Sequence, residues 1–497
     1  MSLFRKKDLA AMLAHTEDQG KGLKRTLGAG NLVALGIGAI IGAGLFVRTA
    51  AAAGQAAGPA VTLSFIIAAI GCAFAGLCYA EFAAMIPIAG SAYAYSYVTM
   101  GEMIAWIIGW ALIMEYALGA ATVSIAWSEY LNKLLGGRIP YEWSHSPLES
   151  ITLNGVTTSG IMNLPALVIL LLLTLLLIKG TQESAMVNAV IVFIKVAIVL
   201  IFIAVGWQFI NGANHAPYMI PEGTAGHEGV FKHGWGGVLG GAAIVFFAFI
   251  GFDAVSTAAQ EAKNPARDMP IGILGSLVVC TILYILFGHV LTGVAPYTDF
   301  TDPTKGQEAS VAYVISNYMP GYEWLATLVT VAILAGFSSV ILVMLMGQSR
   351  IFYTMSNDGL IPKAFGDLHP KFKTPYKANM ILFVFVGLFA AFVPGSMAGD
   401  LTSFGTLFAF VLVSLGVWIM RRKNPEMKRP FKTPLVPLVP ILGALICAGM
   451  IVAIDSRTLQ FAFAWMAIGL LVYFLYSRKR SKLHNIGNIL PKAKDFQ

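Results

Sequence analysis

The stretch GIGAIIGAGLF, residues 36–46, sets Gly36, Gly38, Gly42 and Gly44 inside an uninterrupted apolar run. A second stretch, FFAFIGFDAVS at 246–256, places Gly251 and then Asp253 in the same setting. Where water is absent, a helix-breaking sequence leaves backbone N–H and C=O groups unpaired at several kcal/mol per group, so such backbone must line a cavity and be satisfied by something polar. Taken alone, the first stretch would serve equally well for close helix packing through small residues. It also looks superficially like a dinucleotide fingerprint, but no strand precedes it and it lies within an apolar helix.

The surrounding chain decides the setting. Of 497 residues, 57% are hydrophobic and 12% charged, with a mean hydropathy of +0.74; soluble domains carry roughly 25% charge. The apolar residues fall into twelve blocks, at about 31–53, 60–86, 102–129, 163–179, 185–207, 236–257, 271–294, 324–349, 379–394, 402–420, 436–454 and 460–477. This is the pattern of an all-α polytopic membrane protein with twelve transmembrane helices. Both ends are basic, and an even number of spans with both termini in the cytoplasm leaves only six of the 33 Lys and Arg residues outside, namely Arg48, Lys133, Arg138, Lys232, Lys305 and Arg457. The asymmetry sets the expected orientation. It also accounts for the net charge of +8 by basic inner loops facing anionic lipid, without nucleic acid.

Residues 1–30 start with FRKK and contain no apolar h-region, so a cleavable secretory signal is not expected and the first span acts as its own insertion signal. Residues 4–20 read as a solvated tail in preference to an interfacial helix. The four cysteines lie in apolar stretches, and His215, His227 and His233 share one outer loop at irregular spacing; these suit buried thiols and surface histidines better than a metal site. Without a P-loop, an HExxH or a nucleophile elbow, neither nucleotide hydrolysis nor an embedded enzyme is supported, and no cofactor is expected.

The interrupted spans are the first and the sixth, corresponding positions of two five-span halves, as when inverted repeats place a substrate between discontinuous helices. The half-helix N-terminus after each break offers N–H groups and a positive dipole end to an anion, while the carbonyls before it face a cation. A zwitterionic α-amino acid carries both charges on one carbon. Few charges lie within the spans. Glu81, Glu102 and Glu129 fall near span ends and read as members of structural networks, whereas Glu115, Lys195 and Asp253 are deep. Lys195 is about ten residues from either end of its span, roughly 15 Å, beyond the reach of its own side chain. An isolated charge there costs at least ~2.5–3.5 kcal/mol. It is either a proton-coupling group or half of a static ion pair with Asp253 or Glu115.

These motifs resemble the amino acid–polyamine–organocation superfamily, in particular bacterial members of the cationic amino acid transporter family. The resemblance runs from about Leu23 to Arg480 and rests on residues 36–46, 78–102, 108–116, Lys195, 246–273 and 349–362. It implies a leucine-transporter-type fold in which 31–207 and 236–420 are inverted five-helix repeats, 436–477 holds two appended helices, and 1–30 and 478–497 are cytoplasmic tails. By that resemblance, Gly42, Ala43 and Gly44 receive the substrate carboxylate and the carbonyls of Ile40 and Ile41 its ammonium. Phe247, Ala248, Ile250 and Gly251 belong to the helix 6 stretch that closes over the site. Phe252 and Ile341 supply apolar lining. Position 43 is Ala where some relatives carry a hydroxyl, so one side-chain contact to the carboxylate is missing. Lys195 matches the helix 5 lysine of proton-using members, with Gly38 or Ala39, Ser338 and Ser339 as expected neighbours.

The implied function is secondary transport of L-amino acids across the plasma or bacterial inner membrane by proton-coupled symport, with exchange on the same fold as the alternative. Glu115 and Asp253 are the acids available to a cationic side chain, and small neutral side chains fit the apolar remainder. A bulky residue at Gly42 or Gly44 is expected to abolish binding without disturbing insertion. Nothing in the residues supports a glycan or an accessory subunit.

Overall fold

In the computed structural model, residues 4–7, 27–86, 91–153, 156–179, 185–257, 259, 262–302, 310–372 and 374–483 are described. Most of the sequence proposed for an interfacial N-terminal helix, and the C-terminal tail beyond residue 483, lie outside them. We label the apolar helices α1 (Ala29–Ile40), α2 (Val61–Met85), α3 (Glu102–Leu134), α4 (Leu164–Lys179), α5 (Ala185–Gly206), α6 (Gly234–Val245), α7 (Pro265–Val294), α8 (Glu323–Asn357), α9 (Tyr376–Phe392), α10 (Gly395–Lys423), α11 (Leu438–Val452) and α12 (Ser456–Val472). Among the described residues, eight helical stretches are long and apolar enough to cross a membrane and four more, α1, α4, α9 and α11, are apolar but shorter.

The helices pack in one bundle. α3 lies along α8 and α10, and α7 runs along α2 and α1. α4, α5 and α12 are peripheral, and their outward side chains are apolar, including Leu172, Phe193 and Leu471. A broad apolar exterior of this kind suits lipid and not water. α3 and α8 run further than the apolar blocks, to Leu134 and Asn357. Hydropathy cannot see a helix continue past the hydrocarbon, because its polar final turns remain hydrogen-bonded in water. Two short helices, Ser91–Thr99 and Ser310–Tyr318, and a hairpin of β1 (Ser150–Leu153) with β2 (Val156–Ser159) join the main elements.

Both described ends of the chain meet on one face. The Glu102 amide donates to the Arg5 carbonyl at 2.9 Å, the Lys7 ammonium reaches Asp358 at 2.5 Å, and the Lys482 amide donates to the Asp358 carbonyl at 3.0 Å. Glu102 also accepts from Tyr97, Tyr473 and Ser481. Glu81, fully buried, is held by Arg421 at 3.1 and 2.7 Å and by the Thr433 amide at 2.8 Å. The expected network role of these two carboxylates is visible in those contacts. The histidine loop differs from a plain surface: His227 is buried and its Nε2–H donates to the Gly54 carbonyl at 2.8 Å, which ties the loop to the segment following α1.

Candidate functional site

Both glycine-containing stretches break their helices. α1 stops at Ile40, Ile41 turns to an extended ψ of 106°, and helical backbone resumes as a π-turn over Gly44–Arg48. After α6, a 3-10 turn over Phe246–Phe249 leads to extended Ile250, then Gly251 at φ 114°, and a short helix resumes at Ala254. That φ is strained for any residue bearing a Cβ. The broken segments press directly on one another. A Cβ on Gly44 would lie 2.2 Å from the Ala248 Cα, and one on Gly251 would lie 2.8 Å from the Ala39 carbonyl oxygen.

This contact corrects the expectation for Gly44. Its missing side chain is required by backbone-on-backbone packing, so a bulky residue there disrupts the joint itself and cannot report on ligand binding alone. Gly42 is different: the three atoms nearest a Cβ there all belong to the Val340 side chain, the closest at 3.2 Å.

The freed backbone groups divide into two sets. Carbonyls on and beside the breaks are met by tyrosines from neighbouring helices. The Tyr284 hydroxyl of α7 lies 3.1 Å from the Ile40 carbonyl and 2.9 Å from that of Ala248, one from each break, and Tyr130 of α3 donates to Phe46 at 3.1 Å. A hydroxyl has one proton, so the two carbonyls share a single donor. The Gly42, Ala43 and Gly44 amides, in contrast, have no hydrogen-bond acceptor among the described residues. Three buried donors at the start of a resumed helix make a site for an anion.

Lys195 of α5 is 2% exposed and donates to the Gly38 carbonyl at 2.9 Å, the partner expected on the first helix. Its methylenes pack against Gly336 of α8, where an added Cβ would lie 2.9 Å from Cε. Ser338 donates within its own helix to Leu334 at 2.9 Å, and Ser339 is buried one turn beyond Gly336. Among the described residues, neither Asp253 nor Glu115 hydrogen-bonds to Lys195. The Asp253 Oδ2 atom accepts from Tyr116 at 3.1 Å, while Oδ1 and both oxygens of Glu115 have no hydrogen-bond partner among the described residues. Lys195 instead uses a backbone carbonyl of the helix that the break has shortened.

Phe247, Ala248, Ile250, Phe252 and Ile341 are all buried with these groups. The sequence reading missed several polar side chains in this interior. Gln348 of α8, 1% exposed, has no partner among the described residues for either amide atom, and the Tyr79 and Tyr95 hydroxyls are likewise buried with none among them. Each is a polar residue in the middle of an apolar helix, the same signal that singled out Lys195, but an uncharged residue costs less to bury and stands out less.

Orphan backbone donors held between two packed helix breaks form a polar site for a small solute inside an apolar bundle. The comparisons agree. The sequence profile of the amino acid permease family matches residues 27–474. The chain is 44% identical to the branched-chain amino acid permease BcaP of Bacillus subtilis over 97% of this chain and 99% of that protein. It is 42% identical to the methylthioribose transporter of the same organism, again over 97% and 99%. With the vacuolar cationic amino acid transporter 4 of Arabidopsis thaliana the identity is 34%, over 86% of this chain and 68% of the relative. The chain therefore belongs to the amino acid permease family of the amino acid–polyamine–organocation superfamily, and it is a multi-pass membrane transporter, not an enzyme.

Proposed function

We propose that the protein moves L-amino acids across the cell membrane by proton-coupled symport, with the substrate's carboxylate on the Gly42, Ala43 and Gly44 amides. The single observation that carries this is the row of three acceptor-less amides at a helix restart packed against the second break. The substrate ammonium faces the Ile40 and Ile41 carbonyls, so that an α-amino acid satisfies both sides of one break. In this reading α1–α5 and α6–α10 are inverted repeats of a twelve-helix fold, α11 and α12 are appended, and both termini are cytoplasmic.

Lys195 carries the coupling. Its ammonium occupies the space beside the Gly38 carbonyl where a bound cation would otherwise sit, and loss of its proton weakens the attraction that holds the first half of the broken helix. Protonation thereby biases one arrangement of α1, and the substrate another contact on the same helix.

Glu115 and Asp253 supply negative charge for a cationic side chain, while Ile341 and Phe252 accept aliphatic ones. The relatives named for branched-chain and cationic substrates support a profile covering both. Methylthioribose lacks a carboxylate and an ammonium, so the amide site predicts that it does not compete.

The test is uptake into proteoliposomes under an imposed proton gradient, with and without internal amino acid. Accumulation that follows the gradient and needs no internal substrate supports symport. Uptake that requires internal amino acid and ignores the gradient replaces it with exchange.

A further inference from the structure

The loop joining α10 to α11, RRKNPEMKRPFKTP at 421–434, carries six basic residues against a single acid, Glu426, and the transport reading makes no use of it. Its shape is fixed by the bundle. Arg421 and Arg429 both turn inward onto the fully buried Glu81 of α2: Arg421 reaches the carboxylate at 3.1 and 2.7 Å, and the Arg429 Nε lies 3.4 Å from it. The Arg429 guanidinium also donates to the Asn424, Pro425 and Met427 carbonyls at 2.6, 2.9 and 2.7 Å. Thr433 closes the turn, its amide on Glu81 at 2.8 Å and its hydroxyl on the Leu77 carbonyl at 3.0 Å. Two guanidiniums on one carboxylate leave a positive charge over.

The remaining cations face outward. Arg422, Lys423, Lys428 and Lys432 are exposed, and none of them forms an ion pair among the described residues. The negative end of the α10 dipole accounts for Arg422 and Lys423 in the last turn but not for the two lysines beyond it. The start of the chain adds to the cluster: the pKa of Lys6 is lowered first by partial burial and then by the charge of Lys423, so like charges stand within reach of one another on the face where the chain ends meet. Apolar neighbours mark the depth. The Arg422 guanidinium lies 4.8 Å over the Trp418 ring, and an indole favours the headgroup layer. On the other side Leu435, held at φ 47°, and Leu438 are 73% and 52% exposed. Cations beside outward leucines span the boundary between headgroups and acyl chains. A soluble anion would meet the cations and leave the leucines bare, whereas a phospholipid covers both.

We propose that the α10–α11 loop is a binding site for an anionic phospholipid, whose headgroup faces Lys423, Lys428 and Lys432 and whose acyl chains cover Leu435 and Leu438. A diffuse attraction of basic loops for an anionic leaflet needs no fixed frame and follows total charge alone. A site depends on these particular lysines. The inference is independent of which solute the protein carries.

The test titrates the purified full-length protein, in micelles of an uncharged detergent, with phosphatidylglycerol or with phosphatidylcholine of the same acyl chains, and follows the melting temperature. A ligand of the folded state raises it. Phosphatidylglycerol is expected to raise it by several degrees at mole fractions where phosphatidylcholine has little effect. The double variant Lys428→Gln with Lys432→Gln raises the half-effective phosphatidylglycerol fraction about tenfold. Lys363→Gln with Lys371→Gln removes the same charge from exposed positions between α8 and α9 and is expected to shift that fraction less than about twofold, because a site, unlike a diffuse field, does not follow total charge. Equal shifts with the two lipids, equal losses in the two double variants, or the full shift produced by inorganic phosphate at the same phosphate concentration would each overturn the proposal.

Discussion

Gly44→Ala tests the joint between the two breaks. The new methyl group would sit 2.2 Å from the Ala248 Cα, whereas non-bonded carbons rest at about 3.5 Å or more. Because the obstacle is backbone, no rotamer change relieves it, and the two segments must separate by about 1.3 Å on that count. Overpacking of this kind costs about 1–3 kcal/mol. A separation of that size also draws the Tyr284 hydroxyl beyond hydrogen-bond reach of one of its two carbonyls, adding about 1 kcal/mol for a buried acceptor left unpaired. The expected total, about 2–4 kcal/mol by these two terms, is large enough to lower the apparent melting temperature of the purified protein by several degrees and to abolish uptake. Gly42→Ala is the matched control, since the atoms nearest its methyl group belong to the Val340 side chain, the closest at 3.2 Å, and a shift of a few tenths of an ångström there relieves the contact. It is expected to melt close to the wild type but to lose substrate binding, because the methyl group covers the amides. The assay pairs thermal unfolding followed by intrinsic tryptophan fluorescence with equilibrium binding of labelled amino acid. If Gly44→Ala melts and binds like the wild type, the two breaks are not in contact and the packing argument fails.

Lys195→Ala is expected to lose accumulation driven by a proton gradient while keeping a larger share of exchange, and replacing sodium with choline should leave the wild type unchanged; undiminished accumulation by the variant would reduce Lys195 to a packing role. Glu115→Gln, measured by competition binding, should weaken L-arginine about tenfold more than L-alanine if the carboxylate reads a cationic side chain, and equal effects on both would show that it does not. Glu81→Gln breaks the pair between a fully buried carboxylate and Arg421, whose side chain is a quarter exposed, and weakens the contact to the Thr433 amide, so a loss toward the lower end of about 3–5 kcal/mol is expected, read as a lower melting temperature with little change in substrate affinity for the protein that remains folded.

Hydropathy alone placed twelve apolar blocks, and among the described residues eight helical stretches are long and apolar enough to cross a membrane, with four shorter apolar helices beside them, because a backbone in hydrocarbon must close its own hydrogen bonds whatever its neighbours do. Glycines inside two of these blocks marked the breaks for the same reason, and Lys195 stood out because no lysine side chain reaches water from that depth. What a linear sequence does not contain is which distant group meets each freed backbone atom. The assignment of Tyr284 to carbonyls of both breaks, the reach of Lys195 to the Gly38 carbonyl, and the pressing of Gly44 on Ala248 all depend on how helices far apart in the chain cross. The difference between Gly42 and Gly44 is the sharpest case: two glycines two residues apart in one motif are chemically identical in the sequence, and only the approach of the second broken helix makes one a packing contact and leaves the other beside open amides.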